Sequence, residues 1–372
     1  MTGSLLVVGG GPAGAMAAAA AAARGRSTVL IERSAGPHHK VCGEFLSWEA
    51  RRFLAQAGAA LPEGAPIDRL RLHAGGRTRT ARLPGTAMGI SRCRLDEALL
   101  AHAAACGAEI RRGVAASAWQ DGAVRLRGGG MLSADRIVLA TGKTDLRGTP
   151  RRPAPSVTDG LTGFKMHLSL APEDAAALRR TIELHVFPGG YAGLQPIEGA
   201  RHNLCLLIAT HLVDGWPAVL AHLGRHAPIL GERLGRADPL YERPLAIARV
   251  PYGFRRRDDR LAVGDQNAVI HSFTGDGLAL AIGSGALAGA WGSGDTELAA
   301  ALRRFAAGPV GRAACLYRGL AARPALLAKA ALLPGALRLS ARLTRAKMPH
   351  IASFQRDKSE LGPPQNHLRC VS

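Results

Sequence analysis

The chain has 372 residues, 47% of them hydrophobic and 20% charged, with a formal net charge of +20. It is long enough to bury a large core as one big domain or two interwoven ones, and too apolar to stay disordered. Aromatics at 4% leave alanine, leucine and valine to fill that core, and the charge leaves two readings open: a compositional bias towards arginine, or attraction to an anionic partner such as a dinucleotide, a membrane surface or an acidic carrier.

In chain order, Ser4–Val8 is an apolar run ending in glycines, the pattern of a buried parallel strand. The alanine-rich stretch Gly14–Arg24 reads as a helix, and Ser27–Ile31 as a second buried strand that ends at Glu32. Leu5–Ala23 has the uncharged look of a membrane span, but three successive glycines and Pro12 break a helix where a span needs one. Asp96–Ala105 reads as a helix with acidic residues in its first turn, and Ala108–Gly113 and Arg136–Ala140 as strands. Residues 144–157 form a crossover linker. From 158 to 258 strand-like runs (Phe164–Leu170, Ile182–Phe187, Asn203–Ile208) alternate with helices near 172–180 and 216–236. Arg260–Gly264 reads as a buried strand again and Gly277–Gly289 as a small-residue helix. Residues 296–348 are expected to be helical, broken at Pro309, Pro324 and Pro334, and the polar tail beyond Ser353 to be loose. The expected organisation is a nucleotide-binding domain over 1–157, a β-rich domain over 158–258, the first domain resumed over 259–295, and a helical extension over 296–372.

Gly9-x-Gly11-x-x-Gly14 lies between a strand and a helix. The first glycine permits the tight turn, the second lets the backbone approach a pyrophosphate, and the third allows close helix–strand packing. The phosphate then meets free N–H groups at a helix N-terminus. Glu32, at the end of the second strand, can accept hydrogen bonds from a ribose diol. These residues alone leave NAD and FAD both open. Two later segments decide for FAD. The strand Ile137–Ala140 runs into the turn Ala140-Thr-Gly142. Leu261–Asp265, followed by Thr274-Gly-Asp-Gly277 and a small-residue helix, supplies a strand-end aspartate for a ribityl hydroxyl and a second helix N-terminus, which a plain NAD dehydrogenase does not need.

These segments, in this order and together with Arg92-x-x-Leu95-Asp96, resemble the flavoprotein hydroxylase and geranylgeranyl reductase superfamily. The resemblance implies an α/β architecture: a Rossmann-like FAD-binding domain of the glutathione-reductase/hydroxylase type, with an inserted β-rich substrate domain, a helical C-terminus and the isoalloxazine between the two domains. It implies that Ala13, Glu32, Cys42, Gly43, Arg92, Asp265, Gly277 and Leu278 line FAD, along with Gly9, Gly11, Gly14, Gly264, Gly275 and a backbone contact near Ala116.

Three residues are candidates for chemistry. Lys40–Glu44 looks like the Cys-Gly segment of the reductase branch, where the Cys42 thiol would tune the flavin, donate a proton or simply pack beside the ring. Gly189–Pro196 is similar to that branch's Tyr-x-Trp-x-Phe-Pro substrate segment and keeps Tyr191 and Pro196. Gly193 and Gln195 replace the two aromatics, which removes apolar wall for a prenyl chain and leaves room for a bulkier ring. His271 precedes the Thr-Gly-Asp-Gly turn, either as a general base near the flavin or as a solvent-facing turn residue. The other histidines show no ligand spacing and no metal site is expected. Cys42, Cys93, Cys106, Cys205, Cys315 and Cys370 are scattered and no basic leader precedes an apolar segment, so free thiols in a reducing cytoplasm are expected. Leu332, Leu339 and Leu343 share one helical face and Arg338, Arg342 and Arg345 another, a pattern that suits an anionic bilayer, an acidic partner, or a helix packed on the body with a solvated arginine face. The arginines are dispersed without aromatic interleaving, so nucleic acid is not an expected partner.

The leading expectation is an NAD(P)H-dependent FAD monooxygenase that hydroxylates an aromatic, polyketide-derived or lipid-tailed small molecule through a flavin C4a-hydroperoxide. The alternative, suggested by Cys42, Gly43 and Tyr191, is a flavin-dependent reductase of C=C bonds in prenyl or related lipids. A non-catalytic flavin-binding protein held peripherally at an anionic membrane is the third.

Overall fold

The computed structural model describes residues 3–149, 160–248, 250, 252–254, 260–292, 294–322, 333, 335–350 and 369–371. The chain opens with β1 (Leu5–Val8), α1 (Pro12–Ala22) and β2 (Thr28–Glu32). Next come β3 (Phe45–Leu46), α2 (Trp48–Gln56), the long hairpin β4 (Ala65–Ala74) and β5 (Arg77–Gly89), α3 (Arg92–Ala105) and β6 (Glu109–Arg112). β7 (Ala116–Gln120), β8 (Ala123–Leu126) and β9 (Met131–Ser133) precede β10 (Arg136–Leu139). The middle of the chain holds β11 (Leu161–Ser169), α4 (Pro172–Ala177), β12 (Thr181–Phe187), β13 (Gly190–Pro196), β14 (His202–Ala209), α5 (Gly215–His226) and α6 (Pro228–Gly235). The short strands β15 (Asp238–Pro239), β16 (Leu245–Ala248), β17 (Gly253–Phe254) and β18 (Ala268–Val269) follow, then α7 (Gly277–Ala290), α8 (Asp295–Ala322), α9 (Ala336–Leu343) and β19 (Arg369–Val371).

β1 and β2 are buried along their whole length because both faces of their sheet are covered. They form a parallel sheet in the order β10-β1-β2-β6. Alternation divides their side chains: Leu5, Val7 and Leu30 face α1, α3 and α7, while Leu6, Val8, Val29 and Ile31 face the small antiparallel sheet β7–β8–β9. The helix α1 starts at Pro12, two residues before the expected Gly14, since a proline at the first helical position loses no hydrogen bond.

The second sheet has nine strands, mostly antiparallel, in the order β15-β11-β14-β13-β12-β4-β5-β3 with β16 beside β11. Its strands β3, β4 and β5 come from residues 45–89, inside the segment that the sequence assigns to the nucleotide-binding part. On β14, Leu204, Leu206 and Ile208 point into the core under α5 and α6, so Cys205 and Leu207 point the other way, towards the parallel-sheet half.

Four expectations need correcting. The helix α3 begins at Arg92, capped by the Ser91 hydroxyl, so its first turn carries no acid and Asp96 lies one turn further in. Residues 261–263 make a single parallel bridge, Leu139 to Ala262, at the edge of β10 and do not extend into a strand. The helix α8 runs straight through Pro309: Leu298, Leu302, Ala306, Val310 and Ala313 keep one face buried, and that packing outweighs one lost backbone bond. Of the tail, only residues 369–371 are described, and they form β19, which pairs with β9. Pro324, Pro334, Leu332 and most of the 144–157 linker lie outside the described residues. Among the described residues no helix is long and apolar enough to cross a membrane.

Candidate active site

Between the parallel sheet and the large sheet lies a cleft of about 1060 Å³. Gly9 opens it with a φ of +113°, and a Cβ there would sit 2.5 Å from the Ala140 carbonyl oxygen. A Cβ on Gly14 would come within 1.8 Å of the Gly9 carbonyl oxygen, so the third glycine is a packing requirement and does not itself line the cleft. Glu32 is buried and accepts from the Gly10 N–H at 2.7 Å and the Ser34 N–H at 2.9 Å. Burial pushes its carboxyl up, but those two backbone donors and Lys40 outweigh it and hold the acid below its ordinary range. The sequence reserved Glu32 for a ligand's hydroxyls. It also holds the turn, with one lone pair per oxygen left over.

Above Gly11 stands Arg92, whose Nη2 lies 3.4 Å from where a Gly11 Cβ would be. Asp96 fixes it through Nε–Oδ1 at 2.8 Å and Nη2–Oδ2 at 2.9 Å, and also takes Lys40 at 2.9 Å. Burial raises the Asp96 carboxyl, but the two cations hold it below the usual carboxylate range. The Lys143 ammonium ends 2.6 Å from Asp265, which raises the pKa of Lys143 against its burial. Sequence reasoning missed Lys143; it follows the Ala140–Gly142 turn directly, which is the signal that would have flagged it. Ala13, Cys42, Gly43, Ala116, Gly264, Gly275, Gly277 and Leu278 also line the cleft.

The loop Cys42–Glu44 is tied down from the large sheet. Asn203 Nδ2 donates to the Cys42 and Gly43 carbonyls at 3.1 and 2.9 Å, and Gln195 Nε2 donates to the Glu44 carbonyl at 2.9 Å. Gln195 is buried and neither it nor Gly193 lines the cleft. These two positions therefore do not enlarge the substrate space as expected: Gln195 anchors the loop, and a Cβ on Gly193 would meet only ordinary contacts. Glu44, in the left-handed region at φ +56°, is fully buried and held by Lys165 and by His167 at 2.6 Å, with the Arg92 N–H on Oε1 at 2.7 Å. Desolvation raises its carboxyl, but His167 and Lys165 win and hold it low.

The histidines do converge in space, contrary to their spacing in sequence. His39, Glu44 and His167 form one group and His73, Glu183 and His185 another, each with its ligand-type atoms within 4.8 Å. Both carboxylates are already engaged by cations, Lys165 in one case and Arg71 and Arg233 in the other, whose charge opposes a metal ion.

Tyr191 and His271 stand behind the cleft wall and do not line it. The Tyr191 ring packs edge-on against Phe273 at 5.9 Å, and burial pushes its hydroxyl pKa well up. His271 is not a solvent-facing turn residue: it is sandwiched between Tyr252 and Tyr317, with centroids at 4.1 and 4.2 Å, and burial lowers its pKa to about 4. On the large-sheet side the wall is aliphatic, made by Leu207, Leu245, Ile247, Val250 and Val269 around Cys205, whose thiol burial pushes up to about 12.

Two helices, α1 and α7, begin at this cleft, and neither N-terminus has a side-chain cap. Their first-turn N–H groups therefore lack acceptors within the helix. With the Arg92 guanidinium over Gly11 and a carboxylate at Glu32, this donor set suits a dinucleotide pyrophosphate and its ribose; the size of the cleft leaves space for a second molecule. The fold and site are those of a dinucleotide-binding flavoprotein. Residues 2–125 match the family model described as FAD binding domain, and FAD is the cofactor. The chain is an FAD-binding oxidoreductase.

Among solved structures it is similar to the flavin-dependent brominase Bmp2, with 16% identity, 92% of this chain and 93% of that chain covered, and a TM-score of 0.77. A geranylgeranyl bacteriochlorophyll reductase-like protein from Thermoplasma acidophilum has 18% identity, 94% of each chain covered and a TM-score of 0.70. The halogenase PltM, solved with phloroglucinol and FAD, has 17% identity, 86% and 76% covered, and a TM-score of 0.69. No curated protein matches the chain by sequence.

Proposed function

We propose that the protein is an NAD(P)H-dependent FAD monooxygenase that hydroxylates an apolar small molecule with an aromatic, polyketide-derived or lipid-tailed skeleton. The observation that carries this reading is the two-sided cleft. Cationic and backbone donors gather on the parallel-sheet side, and an aliphatic wall faces them from the large sheet. When bound, FAD supplies the redox chemistry, accepting two electrons from a nicotinamide and passing them to dioxygen. The residues of the chain do the rest. Glu32 would accept from the ribose hydroxyls. The first turn of α1 and the Arg92 guanidinium would neutralise the pyrophosphate, and Asp265, paired with Lys143, would hold the ribityl end. Leu207, Leu245, Ile247, Val250 and Val269 orient an apolar ring and keep water from the reacting atoms. Cys205 stays a neutral thiol and adds no charge to that wall.

One observation favours the C=C reductase alternative: the Cys42 thiol lines the cleft, its sulfur accepting from the Glu44 N–H at 3.4 Å, a position from which it can hand a proton to a substrate carbon. The two readings separate on the product. With NAD(P)H, isotopically heavy O₂ and a panel of alkylphenols and prenyl lipids, the proposed function expects one heavy oxygen in the product. A product that gains two hydrogens and no oxygen overturns it for the reductase. Failure of NAD(P)H to reduce the bound cofactor with every substrate tried overturns both. Work in a cytoplasmic setting, with access to lipid-dissolved substrate, belongs to the same reading.

A further inference from the structure

A second groove, of about 690 Å³, lies between α2, α8 and the segment that follows α9. Five cations surround it (Arg52, Arg312, Arg342, Arg345 and Lys347) against one acid, Glu49. Arg345 is committed inward: it pairs with Asp276 at 3.2 Å, donates to the Thr274 carbonyl and sits 5.0 Å above the Trp48 ring. Arg52, Arg342 and Lys347 are exposed, and among the described residues none of them forms an ion pair with a carboxylate.

The helix α9 is two-faced. Leu337 and Ala341 are buried, with Leu337 packed beside Leu72 and Ala74 of the β4–β5 hairpin. Leu339 and Leu343, one turn apart, are 57% and 52% exposed, and Leu333 is 62% exposed. These are the three most exposed large apolar side chains among the described residues. Arg338 and Arg342, also one turn apart, flank the leucines. The sequence placed Arg345 on this charged face; the structure removes it and brings in Arg52, Arg312 and Lys347 from neighbouring segments.

A free phosphate would use the cations and leave the leucines without a role. Paired leucines ringed by long basic side chains match the boundary of an anionic leaflet, where apolar groups enter the acyl region and cations stay among the phosphates. We propose that the outer face of α9 and the basic groove beside it dock the protein on an anionic bilayer. The proposal is independent of the reaction. The same surface connects to the cofactor cleft, because Ala346 N and Arg345 both bind Asp276, whose neighbours Gly275, Gly277 and Leu278 line that cleft.

The test is flotation of the FAD-loaded protein with vesicles of phosphatidylcholine alone or mixed with phosphatidylglycerol. Wild type is expected to float with the mixed vesicles only. Leu339→Gln/Leu343→Gln and Arg342→Glu/Lys347→Glu are each expected to lower partitioning roughly tenfold or more. The control Arg179→Glu/Arg225→Glu makes the same charge change just after α4 and on α5, which cover the opposite face of the large sheet, and is expected to float like wild type. Retained FAD absorbance in every variant shows that the fold is intact. The proposal is overturned if wild type stays unbound, if it floats equally with neutral vesicles, or if the control falls as far as the groove variant. That last result would mark unspecific attraction by the net charge of +20.

Discussion

Glu44 concentrates much of the site's logic in one residue. Its backbone is held at φ +56°, and its carboxylate is the only partner recorded for the Lys165 ammonium among the described residues. Removing one member of a fully buried pair costs more than the pair is worth, because the other charge is left in a low dielectric. Glu44→Gln is therefore expected to destabilise the protein by roughly 3–5 kcal/mol, read from denaturant unfolding. Adding Lys165→Met should restore part of that loss, and a double variant no more stable than Glu44→Gln would refute the assignment. At this scale the sequence was legible where function sits next to a turn. Gly9, Gly11, Glu32 and Asp265, named from local patterns, and Ala13 and Arg92, implied by the family resemblance, all line the cleft. It was illegible where a role depends on a distant partner: Gln195 reaches Glu44 and Asn203 reaches Cys42 across more than 150 positions, and no local spacing announces either bond.

Among the elements, α1 and α7 show how small residues position a cofactor. All eleven residues of α1 are buried, and α7 crosses it so closely that a Cβ on Gly285 would lie 2.0 Å from the Ala13 carbonyl oxygen and one on Gly289 2.1 Å from that of Ala17. Neither neighbour can yield, because both atoms belong to the helix backbone. Gly285→Ala is expected to push α7 away, cost about 1–3 kcal/mol or more of stability and weaken FAD retention, since α7 carries Gly277 and Leu278. Calorimetry with and without FAD measures both effects, and an unchanged midpoint in the two states would contradict the crossing. The alanine and glycine runs predicted both helices but gave no sign that they touch each other. The Pro309 break failed for a related reason, because the buried face of α8 is a tertiary property.

For the whole molecule, acid is the expected weakness. Burial holds His202 and His271 near a pKa of about 4, so both are neutral when folded and ready to protonate when unfolded. Depressed histidines contribute stability above their ordinary pKa of about 6.5 and lose it as pH falls towards 4. Each is worth on the order of 2 kcal/mol between neutrality and pH 5. Glu183, held low against its burial by His185 and His73 and then by Arg233, and Asp96, held low by Arg92 and Lys40, extend the loss to more acid conditions. Unfolding free energy should therefore fall steadily below pH 6.5 and fall less in His271→Phe, whereas a flat profile from pH 7 to 5 would refute the burial argument. The first βαβ unit and the return of the chain at residues 261–290 were readable from sequence. The contribution of residues 45–89 to the large sheet was not, because a hairpin's own pattern does not say which sheet it joins.

The bridge from Leu139 to Ala262 and the crossing of α1 by α7 also bear on how the chain acquires its shape. The first βαβ unit leaves the ribosome well before α7, and although the sheet and α3 cover part of α1, the face that α7 crosses is not covered until some 260 residues later. Closing so long a loop is slow, and the alanine face of α1 that waits for α7 is open to misassociation in the meantime. Nascent chains should therefore lean on chaperones, and in refolding the slowest phase should report the arrival of α7, with added FAD trapping the completed crossing.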